Sequence, residues 1–264
     1  QRQMCIRDRS GKWSFSIDRQ DKGEKEKWFN HTLNDCIHLP GSMPEKLKGD
    51  EVTAKTRWTG SLYDSSYYYN PYMEKYRKES NIKFPFFLTP DKHYVGAAWY
   101  QKEVNVPADW KGERILLFLE RPHIETTVWV NGQKTGMQNS LCVPHQYDIT
   151  RYVRPGKCNI TIRVDNRIKE INVGPDSHSI TDQTQGNWNG IVGRICLQTT
   201  PKTFFDDIQI YPEPEQKLAR VKVVIKGTGT AKVKLSAESF NTDKKHIVPA
   251  IQLSLIHISE PTRH

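Results

Sequence analysis

Short runs of alternating apolar and polar residues, closed by turn residues, dominate this chain, and long helical periodicity is almost absent. Successive side chains of a strand point to opposite faces, so this pattern predicts strands that each bury one side. Glu113–Glu120 (ERILLFLE) is rich in strand formers. Thr126–Val130 (TTVWV) runs directly into Asn131-Gly132, a pair that tolerates positive φ and predicts a tight hairpin. Asn159–Asn166 (NITIRVDN) follows a turn at Pro155-Gly156 and sets Ile160, Ile162 and Val164 on one face against polar residues on the other. Many short strands with regular turns predict an all-β sandwich or barrel.

The first hundred residues are less regular. Asp50–Lys92 carries an aromatic- and proline-rich insertion in which Met73–Ser80 is expected to form a short helix. A connection of that length usually serves function or packs over a sheet edge. Its Tyr67–Tyr72 cluster (YYYNPY) is expected to pack the loop over the sandwich, the alternative being a platform on which sugars stack. A domain boundary is expected near Thr200–Phe204. Beyond it, FFDDIQIYPEPE, KLARVKVVIKG and TAKVKLSAESF read as three strands, too few for an independent sandwich. An unfinished sheet would leave an unpaired, aggregation-prone edge.

The two ends read differently from the middle. Gln1–Arg9 (QRQMCIRDR) can be encoded as CAG CGT CAG ATG TGT ATA AGA GAC AGN, and Leu253–Ile258 (LSLIHI) as CTG TCT CTT ATA CAC ATC. The second string is the reverse complement of a stretch within the first, and both resemble the transposon end used in tagmentation libraries. Residues 1–9 and 253–264 are therefore expected to be adapter-derived, leaving a natural segment of Ser10–Gln252 without native ends.

Composition excludes several classes. The formal charge is +9, or +7 without the end stretches, and its Lys and Arg are scattered among acids as in DRQDKGEKEK. A nucleic-acid groove calls for a sustained basic stripe with interleaved aromatics. No apolar run approaches the roughly 20 residues that span a bilayer. Cys36, Cys142, Cys158 and Cys196 have wide, irregular spacing and are expected to be buried free thiols, with a Cys142–Cys158 disulfide as the alternative. The nine histidines form no paired ligand spacing, so neither a metal nor another cofactor is expected.

From Gly96 to Gly136 the chain reads GAAWYQKEVNVPADWKGERILLFLERPHIETTVWVNGQKTG. Tyr147–Thr150 (YDIT), Pro155-Gly156, Ile162–Asn166 (IRVDN) and Trp188–Ile191 (WNGI) follow in order, and Trp13–Asp18, Trp28-Phe29 and Leu39-Pro40-Gly41 precede it. This ordered set resembles the sugar-binding domain that opens family 2 glycoside hydrolases. Trp99, Tyr100, Trp129 and Val130 are expected to pack rather than to touch ligand.

The resemblance implies a jelly-roll, galactose-binding-like sandwich over residues 10–200 and the start of an immunoglobulin-like β domain over 201–252. It implies a beta-galactosidase-like retaining exo-glycosidase acting on terminal β-linked sugars, and export to the periplasm or the cell exterior. Such chemistry needs two carboxyl groups about 5 Å apart. In this family both belong to a (β/α)₈ barrel that follows the second β domain, and nothing here alternates strand with helix. Glu103, Glu113, Glu120 and Glu125 lie on or beside predicted strands and are expected to be solvated, so the chain alone is expected to be inactive. Its implied partners are a carbohydrate substrate and that barrel.

The family's loop before the Asn/Ser-Gly-Ile segment reaches toward the barrel mouth, and here it is Ser177–Asn189 (SHSITDQTQGNWN). Asp182, Asn187, Trp188 and Asn189 are the expected substrate contacts, because sugar recognition needs planar polar partners and an aromatic face. Several family members carry Asp three positions before the residue matching Asn187, where this chain has Thr184. The rival reading from another class is a stand-alone carbohydrate-binding module of the same architecture.

Overall fold

The computed structural model describes residues 6–60, 65–169, 174, 176–227, 229–238 and 247–258. The chain divides into two compact units that part between Thr199 and Thr200.

The first unit begins with strands β1 (Ile6–Asp8), β2 (Gly11–Asp18), β3 (Asp35–Leu39) and β4 (Gly41–Ser42). The insertion is bracketed by β5 (Asp50–Glu51) and β6 (Lys92–His93). The long strands follow: β7 (Ala97–Val106), β8 (Arg114–His123), β9 (Glu125–Val130), β10 (Gln133–Asn139), β11 (His145–Asp148), β12 (Gly156–Asp165) and β13 (Gly190–Thr200). They form a β-sandwich. One sheet has the order β10-β9-β12-β7-β2-β3, and the other β1-β13-β8-β11 with β4 also paired to β13.

Alternation builds the core between them. Trp13 and Phe15 of β2, Ala98, Tyr100, Val104 and Val106 of β7, and Ile160, Ile162 and Val164 of β12 point inward. Ile115, Leu117 and Leu119 of β8 and Ile191, Ile195 and Leu197 of β13 meet them. Each Val, Leu, Ile or Phe among them withdrawn from water contributes roughly 1.5–3 kcal/mol toward folding. The β9–β10 hairpin turns through Asn131 at φ 50° and Gly132 at φ 77°, the geometry expected of the Asn-Gly pair.

Trp99 and Trp129 lie one residue out of phase with Tyr100 and Val130, so they occupy the outer face of the six-stranded sheet. They are buried there beneath Leu33, with Trp28 and Phe29 packed alongside. The covering loop is pinned by Asp18, whose carboxylate accepts from Lys22 N (2.8 Å), Gly23 N (2.8 Å) and Trp99 Nε1 (3.0 Å).

The polar face of β12 is itself buried, since Thr161, Arg163 and Asp165 are all under cover. Arg163 Nη2 donates to Asp21 (2.7 Å) and Asp165 (3.0 Å), and its Nη1 donates to Glu125 (3.4 Å). Lys169 pairs with both Glu125 (2.9 Å) and Asp165 (2.8 Å). Burial works to raise the Asp165 pKa, but hydrogen bonds from Arg167 and Lys169 hold its carboxyl well below the usual carboxylate range. Glu125 is thus a buried ion-pair partner, not the solvated residue expected of it, because it sits where the Arg163 side chain needs a counter-charge.

The insertion differs from the expected single helix over Met73–Ser80. A four-residue helix, α1 (Ser66–Tyr69), is followed by 3-10 segments at Pro71–Tyr76 and Glu79–Asn81. Pro71 separates α1 from the segment that follows, because it lacks the N–H that a continuing helix needs and keeps Asn70 extended. Tyr67 is buried against Phe84 (5.1 Å), whereas Tyr68, Tyr69 and Tyr72 are exposed.

Cys142 is exposed and Cys158 buried, both as free thiols, as are Cys36 and Cys196. Burial pushes the Cys158 thiol up to about 11. In the second unit β14 (Phe204–Glu213) pairs with β15 (Leu218–Lys226), and β16 (Gly229–Glu238) pairs with β17 (Ile247–Ile258). The end stretches expected to be adapter-derived contribute β1, paired to β13, and the last half of β17. Backbone pairing asks little of particular side chains. Residues 1–5 and 259–264 of those stretches lie outside the described residues. No described helix is long and apolar enough to cross a membrane.

Candidate functional site

The loop Ser177–Asn189 closes on the sandwich where β13 begins, and a glycine decides how closely. Gly190 has φ +145°, and a Cβ there would sit 2.5 Å from the carbonyl oxygen of Gly41. The Asn-Gly-Ile motif therefore serves a close approach of β13 to β4, which pair through Gly190 and Ser42.

Asn189, next to it, is fully buried. Its Oδ1 accepts from Tyr100 OH (2.7 Å), and its Nδ2 donates to the carbonyls of Gly96 (2.9 Å) and Val164 (3.0 Å). Its polar atoms join three strands and face no solvent.

Asp182 is buried too, and it organises the loop. Its Oδ2 accepts from Thr59 N (2.6 Å) and lies 3.3 Å from His93 Nε2, while Oδ1 accepts from Asn187 N (2.8 Å). Asn187 in turn donates through Nδ2 to Thr59 Oγ1 (3.0 Å) and the Asn166 carbonyl (3.0 Å). The insertion is thereby fastened to the loop through Thr59, and Trp58 beside it packs on His93 with ring centroids 4.7 Å apart.

Trp188 is the half-buried member of the four, and its indole stacks on His123 at 4.6 Å with planes 19° apart. Burial lowers the His123 pKa to about 4, against the Asn187 amide and the Asp182 charge, which act to raise it. The imidazole is neutral at physiological pH. His123 Nε2 and Asn187 Oδ1 are buried with no hydrogen bond of good geometry. The arrangement offers an aromatic ring at the surface, backed by a neutral imidazole and carried on a rigid polar loop.

Asp182, Asn187, Trp188 and Asn189, the contacts expected from the sequence, lie together in this loop, three of them buried and Trp188 half-exposed. His123, Thr59 and His93 join the site from β8, the insertion and β6. His123 ends an apolar strand with no spacing that marks it. The carboxylates weighed for catalysis are dispersed and largely engaged: Glu103 with Lys157 (2.9 Å), Glu120 with Arg194 (3.0 Å), and Glu125 with Arg163 and Lys169.

Residues 6–201 match the family described as glycosyl hydrolases family 2, sugar binding domain. The beta-glucuronidase of Paenibacillus borealis is 26% identical over 220 residues, covering 78% of this chain and 31% of that protein. The human beta-glucuronidase is 27% identical over 176 residues, 58% of this chain and 27% of that protein. The chain thus spans about a third or less of the length of these curated relatives. Among solved structures, Ruminococcus gnavus beta-glucuronidase in complex with uronic isofagomine superposes with a TM-score of 0.63 at 17% identity, covering 97% of this chain and 38% of that one. A beta-glucuronidase from an uncultured Clostridium gives 0.62 at 17% identity, covering 98% and 40%, and these likenesses speak to fold alone. The ordered motifs, the sandwich they build and the match over residues 6–201 place this chain in glycoside hydrolase family 2, as its sugar-binding domain.

Proposed function

We propose that this domain is the non-catalytic scaffold of a glycosidase whose whole chain removes a terminal β-linked sugar, and that the sugar is a β-glucuronide. The observation that carries the reading is Trp188, held half-exposed on a loop whose Asp182, Asn187 and Asn189 side chains are bonded inward. An indole face suits the apolar side of a pyranose ring. The engaged carboxylates support a reacting pair located elsewhere in the whole polypeptide, about 5 Å apart as a retaining mechanism requires. The beta-galactosidase-like expectation gives way to β-glucuronide because the relatives reported above are beta-glucuronidases. The paired strands of the second unit belong, in this reading, to an immunoglobulin-like domain.

Two assays test this. The 264-residue chain should leave 4-nitrophenyl β-D-glucuronide intact, and turnover abolished by a carboxylate substitution within it would overturn the scaffold role. The longest natural reading frame that contains the chain should hydrolyse the glucuronide in preference to the β-galactoside and β-mannoside. A preference for either of those would overturn the choice of sugar.

A further inference from the structure

We propose that the outer face of the six-stranded sheet carries a second, non-catalytic glycan site, an open groove that takes an extended uronate-bearing oligosaccharide. Three clefts follow one another there. The first, about 280 Å³, runs past Arg19 and Lys22 to Trp28. Trp28 also walls the second, about 270 Å³, which continues to Thr32. Thr32 borders the third, about 480 Å³, which opens over Lys12, Gln101 and Glu103. Ser14, Ser16 and Asp18, successive outward residues of β2, line the third, second and first in turn, so the clefts lie in series along that strand, an arrangement suited to a chain of sugars more than to a single ring.

Trp28 is built as a fixed platform. Its ring leans on buried Trp99, centroids 6.1 Å apart, and its Nε1 donates to Glu26 (3.0 Å). The loop that carries it is locked by the Asp18 bonds and by Gly23, where a Cβ would fall 2.4 Å from Trp99 Nε1. A half-buried indole held this way loses little freedom when a sugar ring covers it.

The charge along the path selects the ligand. Glu103 is matched by Lys157 (2.9 Å), and Arg19 pairs with Asp50. Lys12 and Lys22 are exposed, and neither forms an ion pair among the described residues. Glu26 shares the first cleft with Lys22 and offsets it, so the positive excess among the described residues lies at the third cleft, where Lys12 and Lys102 stand, and this end of the groove fits a glycan that presents carboxylates beside its apolar ring faces. The groove does not include Trp188, and its occupation does not depend on the proposed hydrolysis.

Affinity electrophoresis of the 264-residue chain tests the site, with polygalacturonate, neutral xylan or single-stranded DNA cast in the gel at about 0.15 M salt, where weak surface attraction is screened. Polygalacturonate should retard the chain, and both Trp28→Ala and the exposed-site variant Lys12→Glu should weaken that retardation about tenfold, while Trp188→Ala leaves it unchanged. The Lys12→Glu arm keeps the test valid should Trp28→Ala unfold the loop. Absence of retardation, retardation undiminished in Lys12→Glu, or equal retention by xylan or DNA would each overturn the proposal.

Discussion

His123 and Trp188, 65 positions apart in the chain, lie face to face with ring centroids 4.6 Å apart and planes inclined by 19°. The imidazole is buried at the end of β8, whereas the indole is half-exposed on the loop before β13. One ring is therefore a backing and the other a surface. That division separates Trp188 from its three neighbours in the loop, which are buried and bonded inward.

On the function proposed above, Trp188→Ala in the whole polypeptide should weaken glucuronide binding, seen as a raised KM, with a small cost in stability. Stacked aromatic pairs contribute about 0.5–1.5 kcal/mol beyond area burial. Urea denaturation alongside kinetics separates the two effects, and an unchanged KM would remove Trp188 from the substrate.

Asn189→Ala should act through stability. It would leave the Tyr100 hydroxyl without its acceptor in a dry interior, where an unsatisfied group costs about 1–3 kcal/mol, and would take a donor from the Val164 carbonyl and from that of Gly96, which keeps the Asn166 N–H. A loss of about 1–3 kcal/mol in chemical denaturation is expected. A stable variant with reduced sugar affinity would instead make Asn189 a contact.

The domain should lose stability on mild acidification. Burial lowers both His123 and His145 to about 4, below the ordinary histidine value near 6.5, so the unfolded chain binds more protons between those limits. The contribution of each is fully present above about pH 6.5 and falls as pH drops toward 4. For His123 the loss at pH 5 is about 2 kcal/mol by this linkage. Denaturation midpoints measured from pH 7.5 to 4.5 should show the slope, and His123→Gln should flatten it.

Arg163→Met should cost about 3–5 kcal/mol, because it leaves Asp165 and Glu125 under cover with less counter-charge. Arg167 and Lys169 remain near Asp165, so the lower end of that range is expected. Thermal unfolding of the variant checks this, and a neutral result would show the network to be relaxed in solution.

Gly190→Ala should fail to reach the native state in good yield. The added methyl would meet the Gly41 carbonyl at 2.5 Å, on a backbone at φ +145° that side chains rarely adopt. Soluble yield and the circular dichroism of the β-sandwich report the outcome.

Local chemistry wrote most of the scaffold. Alternation over Asn159–Asn166 set Ile160, Ile162 and Val164 into the core, and Asn131-Gly132 made its hairpin, since pleat and φ preference act over a few bonds. The same period told which of two neighbours faces inward, Tyr100 rather than Trp99, only once the sheet had two sides to compare. Site membership was partly legible, because Asp182, Asn187, Trp188 and Asn189 sit together in one loop. Their roles were not legible. Whether an amide meets a sugar or a carbonyl depends on what stands opposite it, and Tyr100, Thr59 and His123 arrive from strands and loops more than 60 residues away. Long-range packing also buried the polar face of β12, where Arg163 and Asp165 make each other's burial tolerable. The strand was determined by its own residues, and the exposure of each side chain by its neighbours in space.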